Sequence, residues 1–379
     1  MVVLIDIIMV KADPILNHAS VRAELMLKSL RKRYSVLALG WNRGEGKQDI
    51  TGLLQIFNVS APYGCTTRYL ILLPIFWTWV FVKLCINRPK IIHACNLDTI
   101  LPCFLYKMLF KAKLVFDMHD RYAMSYISRN RGFIFNVLYW MVNSLEENIA
   151  NKADLLISVY HKIFETFKKK PRNCIEIMVA PEDLKTNSLK RDSNTNIFKV
   201  LFTGHVRAAR GLDSLLDIMV DIDKTELLIV GRVEDELLLK KIKQNSNSKY
   251  LGFLNHNQLV NLEINSDVLI ALYDADLQTQ HRYGMANKIL EAMMCSLPII
   301  TNIANEFIKE TECGVLVDYN NDKQIKEAII NLRDNPSLRE KLGQNGRKAF
   351  EEKYNWPMME EKLLKSYESL FTRNDIKRP

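Results

Sequence analysis

The chain has 379 residues, of which 48% are hydrophobic, 25% charged and 9% aromatic. That is enough to bury a full core and to build two domains, and it excludes both a disordered chain and a small disulfide scaffold. The net charge of +9 belongs to the first half alone: residues 1–186 carry 25 basic and 15 acidic side chains, the remainder 27 and 28. A basic half implies either a solvated surface or an anionic partner such as a membrane, a phosphorylated substrate or nucleic acid. No RNA- or DNA-binding motif accompanies the charge, so nucleic acid is set aside.

The first apolar run, VVLIDIIMV, holds an acid and lacks a basic leader and a small-residue cleavage site, so it is expected to be a buried strand rather than a signal peptide. Strands are expected at 2–9, 35–40, 90–94, 113–117 and 154–158, alternating with helices at 19–32, 69–87, 99–111, 133–151 and 160–169. The longest apolar stretch, residues 70–86, is interrupted by Pro74 and Lys83, short of the roughly 20 clean residues of a spanning helix. The polar tract LKTNSLKRDSNTN (184–196) separates a domain at 1–186, through a linker at 187–196, from a second domain at 197–356.

In the second domain, strands are expected at 198–203, 225–230, 248–253, 267–272, 298–301 and 314–317. Helices are expected at 211–220, 234–244, 256–264, 286–295, 322–333 and 336–352. A helix over 357–379, after a Trp-Pro break, is expected to complete the first domain. The pattern is α/β, two doubly wound domains with a ligand cleft at strand C-terminal ends. Seven scattered cysteines without a CxxC pair argue for reduced thiols, no structural zinc and a cytoplasmic location.

Two units carry chemistry. In FKVLFTGHVRAARGLDSLL, a buried strand ends at Gly204 and a helix begins after Gly211. Backbone N–H groups at such a helix start attract anions, with Arg207 and Arg210 placed to clamp a diphosphate and Gly204 open to close approach. In YGMANKILEAMMCSLPIIT, Lys288 falls in the first turn of a helix, where a cation is unfavourable unless an anion binds. Glu291, one turn on from Asn287, is placed to accept from ribose hydroxyls while Asn287 and Lys288 hold phosphate or sugar oxygens. A plain turn with solvated arginines, and an exposed first-turn glutamate, are the bland alternatives.

These two units, together with LLIVGRVEDELLLKKI and YLGFLNHNQLVNLEINSDVLIALYD, resemble in order and spacing the nucleotide-binding domain of glycosyltransferase family 4, which has the GT-B fold of two facing Rossmann-like domains. SVRAELMLKSLRKRYSVLALGWNR, IIHACNLDTILP, KLVFDMHDRY and ADLLISVYHKI resemble its N-terminal domain, so the resemblance spans nearly the whole chain. It implies a retaining enzyme that transfers a sugar from a nucleotide-diphosphate donor, with no cofactor and no divalent metal. It implies that Arg210 replaces the diphosphate-binding lysine, that His205 stands where arginine is usual, and that Glu291 matches the second Glu of an E-x7-E motif whose first position is Tyr283. The Asn287-Lys288 pair resembles a subgroup with an N-K dipeptide before the helix.

By the same resemblance, Gly231, Arg232 and the 251–253 segment with Phe253 line the nucleotide base, and His119 is the active-site histidine of the first domain. Asn96 and Asp98, also following a strand, are candidates for acceptor or sugar hydroxyls. Asn17 and His18 are the side chains offered where the family has a glycine-rich loop. The implied mechanism has positive groups at 205–211 and 287–288 stabilising the leaving diphosphate, which takes the acceptor proton in a front-face substitution.

The acceptor is expected to be a glycan or lipid-linked glycan. The basic first half, the apolar stretches 69–86 and 133–142 and the Lys168-Lys169-Lys170 run offer contacts to an anionic inner membrane face. Burial of 133–142 in the core is the preferred alternative for that stretch. A non-catalytic partner subunit and a nucleotide-sugar epimerase remain the competing functional classes.

Overall fold

A computed structural model of the chain describes residues 5–14, 21–43, 53–62, 66–127, 132–184, 196–206, 210–233, 235–274 and 286–371. The chain divides into two compact units, Met1–Val179 with Met359–Pro379, and Ala180–Met358. The division falls at residue 179 rather than 186, and residues 187–195 of the expected linker lie outside the described residues.

The first unit is a seven-stranded sheet built from β1 (Ile7–Lys11), β2 (Val36–Trp41), β3 (Leu54–Phe57), β4 (Ile91–Cys95), β5 (Lys113–Met118), β6 (Leu155–Ser158) and β7 (Cys174–Glu176). Its order is β3-β2-β1-β4-β5-β6-β7, with every pair parallel. Strands buried on both faces read as continuous apolar runs, as IIMVK and VLALGW do. The crossovers include α1 (Val21–Arg31), α2 (Thr66–Asn87), α3 (Leu97–Phe110) and α4 (Phe133–Lys152). Sheet order reverses between β1 and β4, and such a switch point opens a crevice at the strand C-termini.

The chain returns to this unit through its last helix, α13 (Trp356–Leu370). Leu363, Leu364 and Tyr367 of that helix are buried, Glu360 pairs with Lys32, and the Tyr34 ring stacks on Phe371 at 4.9 Å.

The second unit has six parallel strands, β8 (Phe198–Thr203), β9 (Thr225–Val230), β10 (Ser248–Tyr250), β11 (Val268–Ala271), β12 (Ile299–Thr301) and β13 (Gly314–Leu316), in the order β10-β9-β8-β11-β12-β13. The switch point here lies between β8 and β11. α6 (Leu212–Val220) shows why the pattern folds as it does: Leu212, Leu215, Leu216 and Met219 recur at helical spacing and all are buried. Each stabilises the unit by about 1.5–3 kcal/mol relative to exposure. α8 (His256–Ile264) starts with a capping box between Asn255 and Gln258, and α9 (Asn287–Met294) with Ala286 in an extended conformation.

Two helices leave much apolar surface uncovered. α2 is long and apolar enough by composition to cross a membrane, yet Leu73, Phe76, Val80 and Leu84 pack into the core beneath it. Its other side exposes Leu70, Ile71, Ile75, Val82 and Ile86. α4 departs from the expectation that 133–142 is core: Phe133 is 82% exposed, Ile134 75% and Trp140 66%, and burial begins only at Glu146, Ile149 and Ala150. Its first half is apolar on all sides, so no stripe of the sequence directs it inward.

Candidate functional site

The C-terminal edge of the second sheet is shaped by adjacent glycines. β8 ends at Gly204, with φ +111°, and β9 at Gly231, with φ +140°. A Cβ on Gly231 would lie 1.7 Å from the Gly204 carbonyl oxygen, so only glycine fits. The Gly231 N–H donates to Gly252 O at 2.8 Å, and its carbonyl accepts from the Tyr250 hydroxyl at 2.8 Å. Gly211, at φ +67°, caps α6 against Leu272 and Tyr319, where a Cβ would press to 3.0 Å and 3.2 Å.

Two cations converge beside these turns. Lys288 reaches from the first turn of α9 to donate to the Thr203 carbonyl, and its Nζ lies 5.3 Å from the Phe202 ring centre and 5.7 Å from that of Tyr273. A Cβ on Gly204 would meet that Nζ at 3.3 Å. The Arg210 guanidinium sits 4.1 Å over the Tyr273 ring. Burial and then the nearby Arg210 charge lower the Lys288 pKa to about 7, against the pull of Glu291 and Glu263. The free site therefore disfavours the charged form of Lys288.

Behind Lys288 stand two acids. Burial, and then the neighbouring Glu291 charge, push Glu263 of α8 up to about 8, and its Oε2 accepts from Cys295 Sγ at 3.5 Å. Glu291 is raised by burial, with His256 and Lys288 acting the other way. Asn287 and His205 are exposed. At the edge, the Arg232 guanidinium lies 5.8 Å from the Phe253 ring, which is 74% exposed. The structure thus gathers Gly204, Arg210, Lys288 and Glu291 around one strand end and pairs Arg232 with Phe253. Arg207 and Tyr283 lie outside the described residues, as do Asn17 and His18.

In the first unit, His119 follows β5 with about a quarter of its side chain accessible. Its backbone N–H donates to Asn96 Oδ1 at 3.2 Å, and Asn96 N–H donates to Asp117 O at 2.8 Å. Asn96 takes φ +68° before α3, so its side chain holds the turn that carries His119. Asp98, expected to meet sugar hydroxyls, has another partner: Tyr69 of α2 donates to it at 2.7 Å, and burial pushes the carboxyl up to about 6. Beyond His119, buried Glu146 accepts the Tyr122 N–H at 2.6 Å, anchoring the one-turn π-helix Ala123–Ile127.

Sequence reasoning missed three participants. Glu263 occupies the buried face of α8 with Val260, where an acid on an apolar stripe was the available signal. Tyr273 follows β11, and Asp117 of β5 lies two residues before His119.

Residues 185–349 match the model of the family described as Glycosyl transferases group 1. That segment is similar to the group 1 glycosyltransferases. An uncharacterized glycosyltransferase of Methanocaldococcus jannaschii is 23% identical to it over 296 residues, 73% of this chain and 72% of the relative. Among solved structures, sucrose-phosphate synthase from Thermosynechococcus elongatus superposes on this chain with a TM-score of 0.75 at 16% identity, covering 97% of this chain and 99% of that one. Anabaena HepE in complex with UDP gives 0.71 at 14% identity, with 96% and 100% covered. Both place the chain in the GT-B fold, and the family and curated matches support nucleotide-sugar glycosyl transfer in general.

Proposed function

We propose that this glycosyltransferase is a family 4 enzyme of the N-K subgroup that moves a hexose from a nucleotide-diphosphate sugar to a lipid-linked glycan, with retention at the anomeric carbon. The observation that carries the donor assignment is the pairing of Lys288 and Arg210 at the end of β8, with Lys288 depressed to about 7. A diphosphate favours the charged form of Lys288, and as the sugar departs the same cations stabilise the leaving group. Their positive charge does for a leaving diphosphate what a divalent metal can do, and the reaction is expected to run without one. Glu291 accepts from ribose hydroxyls, and the base lies against Phe253 and Arg232, an aromatic face and a cation that suit a planar ring. Binding of UDP by the HepE structure supports a nucleoside diphosphate of this kind.

In the first unit, His119 acts at the sugar or acceptor. The leaving phosphate takes the acceptor proton in a front-face substitution. The exposed apolar faces of α2 and α4, with Lys83 over Trp79 and Lys152 over Phe104, support docking on an anionic membrane from the cytoplasmic side and hence a lipid-linked acceptor.

A thermal-shift panel of UDP-, GDP-, dTDP- and ADP-sugars and the free nucleotides, against wild type and Glu291→Ala, tests the donor site. One nucleotide stabilising wild type and not the variant supports it. No shift with any of them refutes it in favour of a non-catalytic subunit.

A further inference from the structure

A buried charge cluster lies at the end of the first sheet, and the reaction above does not use it directly. Asp117 is fully buried on β5, and its two oxygens have different partners. Oδ1 pairs with Arg22 Nη2 of α1 at 2.8 Å, and Arg22 is itself 2% exposed. Oδ2 lies 3.2 Å from His119 Nε2 and 3.4 Å from Nε2 of His93, a fully buried residue of β4. The other His93 nitrogen, Nδ1, hydrogen-bonds the hydroxyl of Tyr367, which α13 brings into the unit fully buried. Three elements, α1, β4 and α13, thus converge on Asp117, the carboxylate that touches His119 among the described residues.

Burial opposes ionisation of Asp117, but the Arg22 guanidinium and the His119 hydrogen bond outweigh it, leaving the carboxyl well below the usual carboxylate range. Burial lowers the His119 pKa, with Arg22 and Lys11 adding to it against Asp117, so the ring is held toward its neutral form. An ionised carboxylate only accepts, so a neutral ring that meets it at Nε2 carries its proton there. We propose that Asp117 is a positioning residue for His119, fixing the imidazole as the Nε2–H tautomer with Nδ1 as its hydrogen-bond acceptor, and that Arg22 and the Tyr367-His93 pair hold Asp117 for that task. The group such a ring meets through Nδ1 is a ligand hydroxyl rather than a phosphate oxygen. Its bearing on turnover rests on the reading of His119 given above, whereas the tautomer does not.

The same strand ends bring donor atoms of His93, Cys95 and Asp117 within 4.8 Å of one another. A dication there would face the guanidinium that already occupies Asp117, and burial pushes the Cys95 thiol above its usual range. Charge balance rather than metal binding accounts for the triple.

With seven histidines in the chain, ring ¹⁵N shifts of histidine-labelled protein are assignable through His119→Gln and His93→Gln. Wild type is expected to show His119 with protonated Nε2 and bare Nδ1 from about pH 7 to 8. In Asp117→Asn, whose amide can donate to Nε2, the signals move toward the Nδ1–H form. In Tyr367→Phe, which deletes one hydroxyl and keeps the ring, His93 Nδ1 shifts and the His119 signals broaden or move. A wild-type Nδ1–H tautomer, or an imidazolium throughout that range, overturns the proposal even if Asp117→Asn does not fold. Unmoved His119 signals in Tyr367→Phe overturn the part played by the last helix. Full turnover by His119→Gln would instead sink the catalytic reading of His119 and leave the tautomer standing.

Discussion

On the donor site proposed above, Lys288 makes nucleotide binding a proton-uptake reaction. In the free protein its pKa is about 7, set first by burial and then by Arg210. A diphosphate beside it favours the charged form and returns the pKa toward the ordinary value of about 10.4. At pH 8 the free lysine is about one-tenth protonated and the bound one nearly fully so, which gives an uptake of about 0.9 proton. UDP is already ionised there, its last phosphate pKa being about 6. Across pH 7 to 9 the protonated fraction of the free lysine falls from about one-half to about one-hundredth, so affinity weakens about 50-fold, or about 2 kcal/mol.

Titration calorimetry of UDP and GDP at pH 8, in buffers of different ionisation enthalpy, reads the uptake directly. Glu263, near 8, adds at most about half a proton, so the decisive quantity is the difference between wild type and Lys288→Met. That difference should be about 0.9 proton. Equal uptake by both proteins, or none by a wild type that binds, refutes the argument that Lys288 meets the diphosphate. The sign for stability runs the other way. A lysine depressed in the folded state lowers stability below its unfolded pKa, and the loss fades as pH rises from about 7 to about 10.4. Lys288→Met should therefore melt higher than wild type at pH 7 without nucleotide, and lose the nucleotide-induced shift.

Gly231→Ala sets a Cβ 1.7 Å from a carbonyl oxygen at φ +140°, so it is expected to cost about 3 kcal/mol or more and to abolish nucleotide binding, read by chemical denaturation and thermal shift. Glu263 is neutral when folded up to about pH 8 but ionised when unfolded above about 4.5, so its burial costs stability progressively as pH rises through that window. Glu263→Gln should be more stable than wild type at pH 7 and equal to it near pH 4, and equal melting at both would refute the assignment. Ile71→Glu with Trp140→Glu changes two exposed apolar positions and should leave melting unchanged while reducing flotation with anionic liposomes. Undiminished flotation would remove α2 and α4 from the membrane surface.

The alternation of apolar runs with amphipathic stretches made both sheets legible, because parallel strands buried on two faces leave long unbroken patterns. What escaped was short or marginal: the edge strands Leu54–Phe57 and Cys174–Glu176, and the seven-residue helix Asn305–Thr311. Elements of three to seven residues complete less than two periods of their pattern, and tertiary neighbours decide them. The exposed half of α4 failed for a different reason. FIFNVLYWMV shows that the stretch avoids water, but hydrophobicity in a sequence does not say whether protein or lipid covers it.

The site divides along the same line. Gly204, Arg210, Lys288 and Glu291 announce themselves because turns and helix starts impose local rules that a cation or glycine visibly breaks. Asp117, Arg22, His93 and Tyr367 come from four separate stretches of chain, and each alone is an ordinary residue. Their chemistry exists only once β4 and β5 lie side by side and α13 returns to the first unit. An isolated Arg22 would be costly to bury, and an isolated Asp117 would be protonated. Their mutual charge balance makes both tolerable and at the same time fixes the ring two residues away.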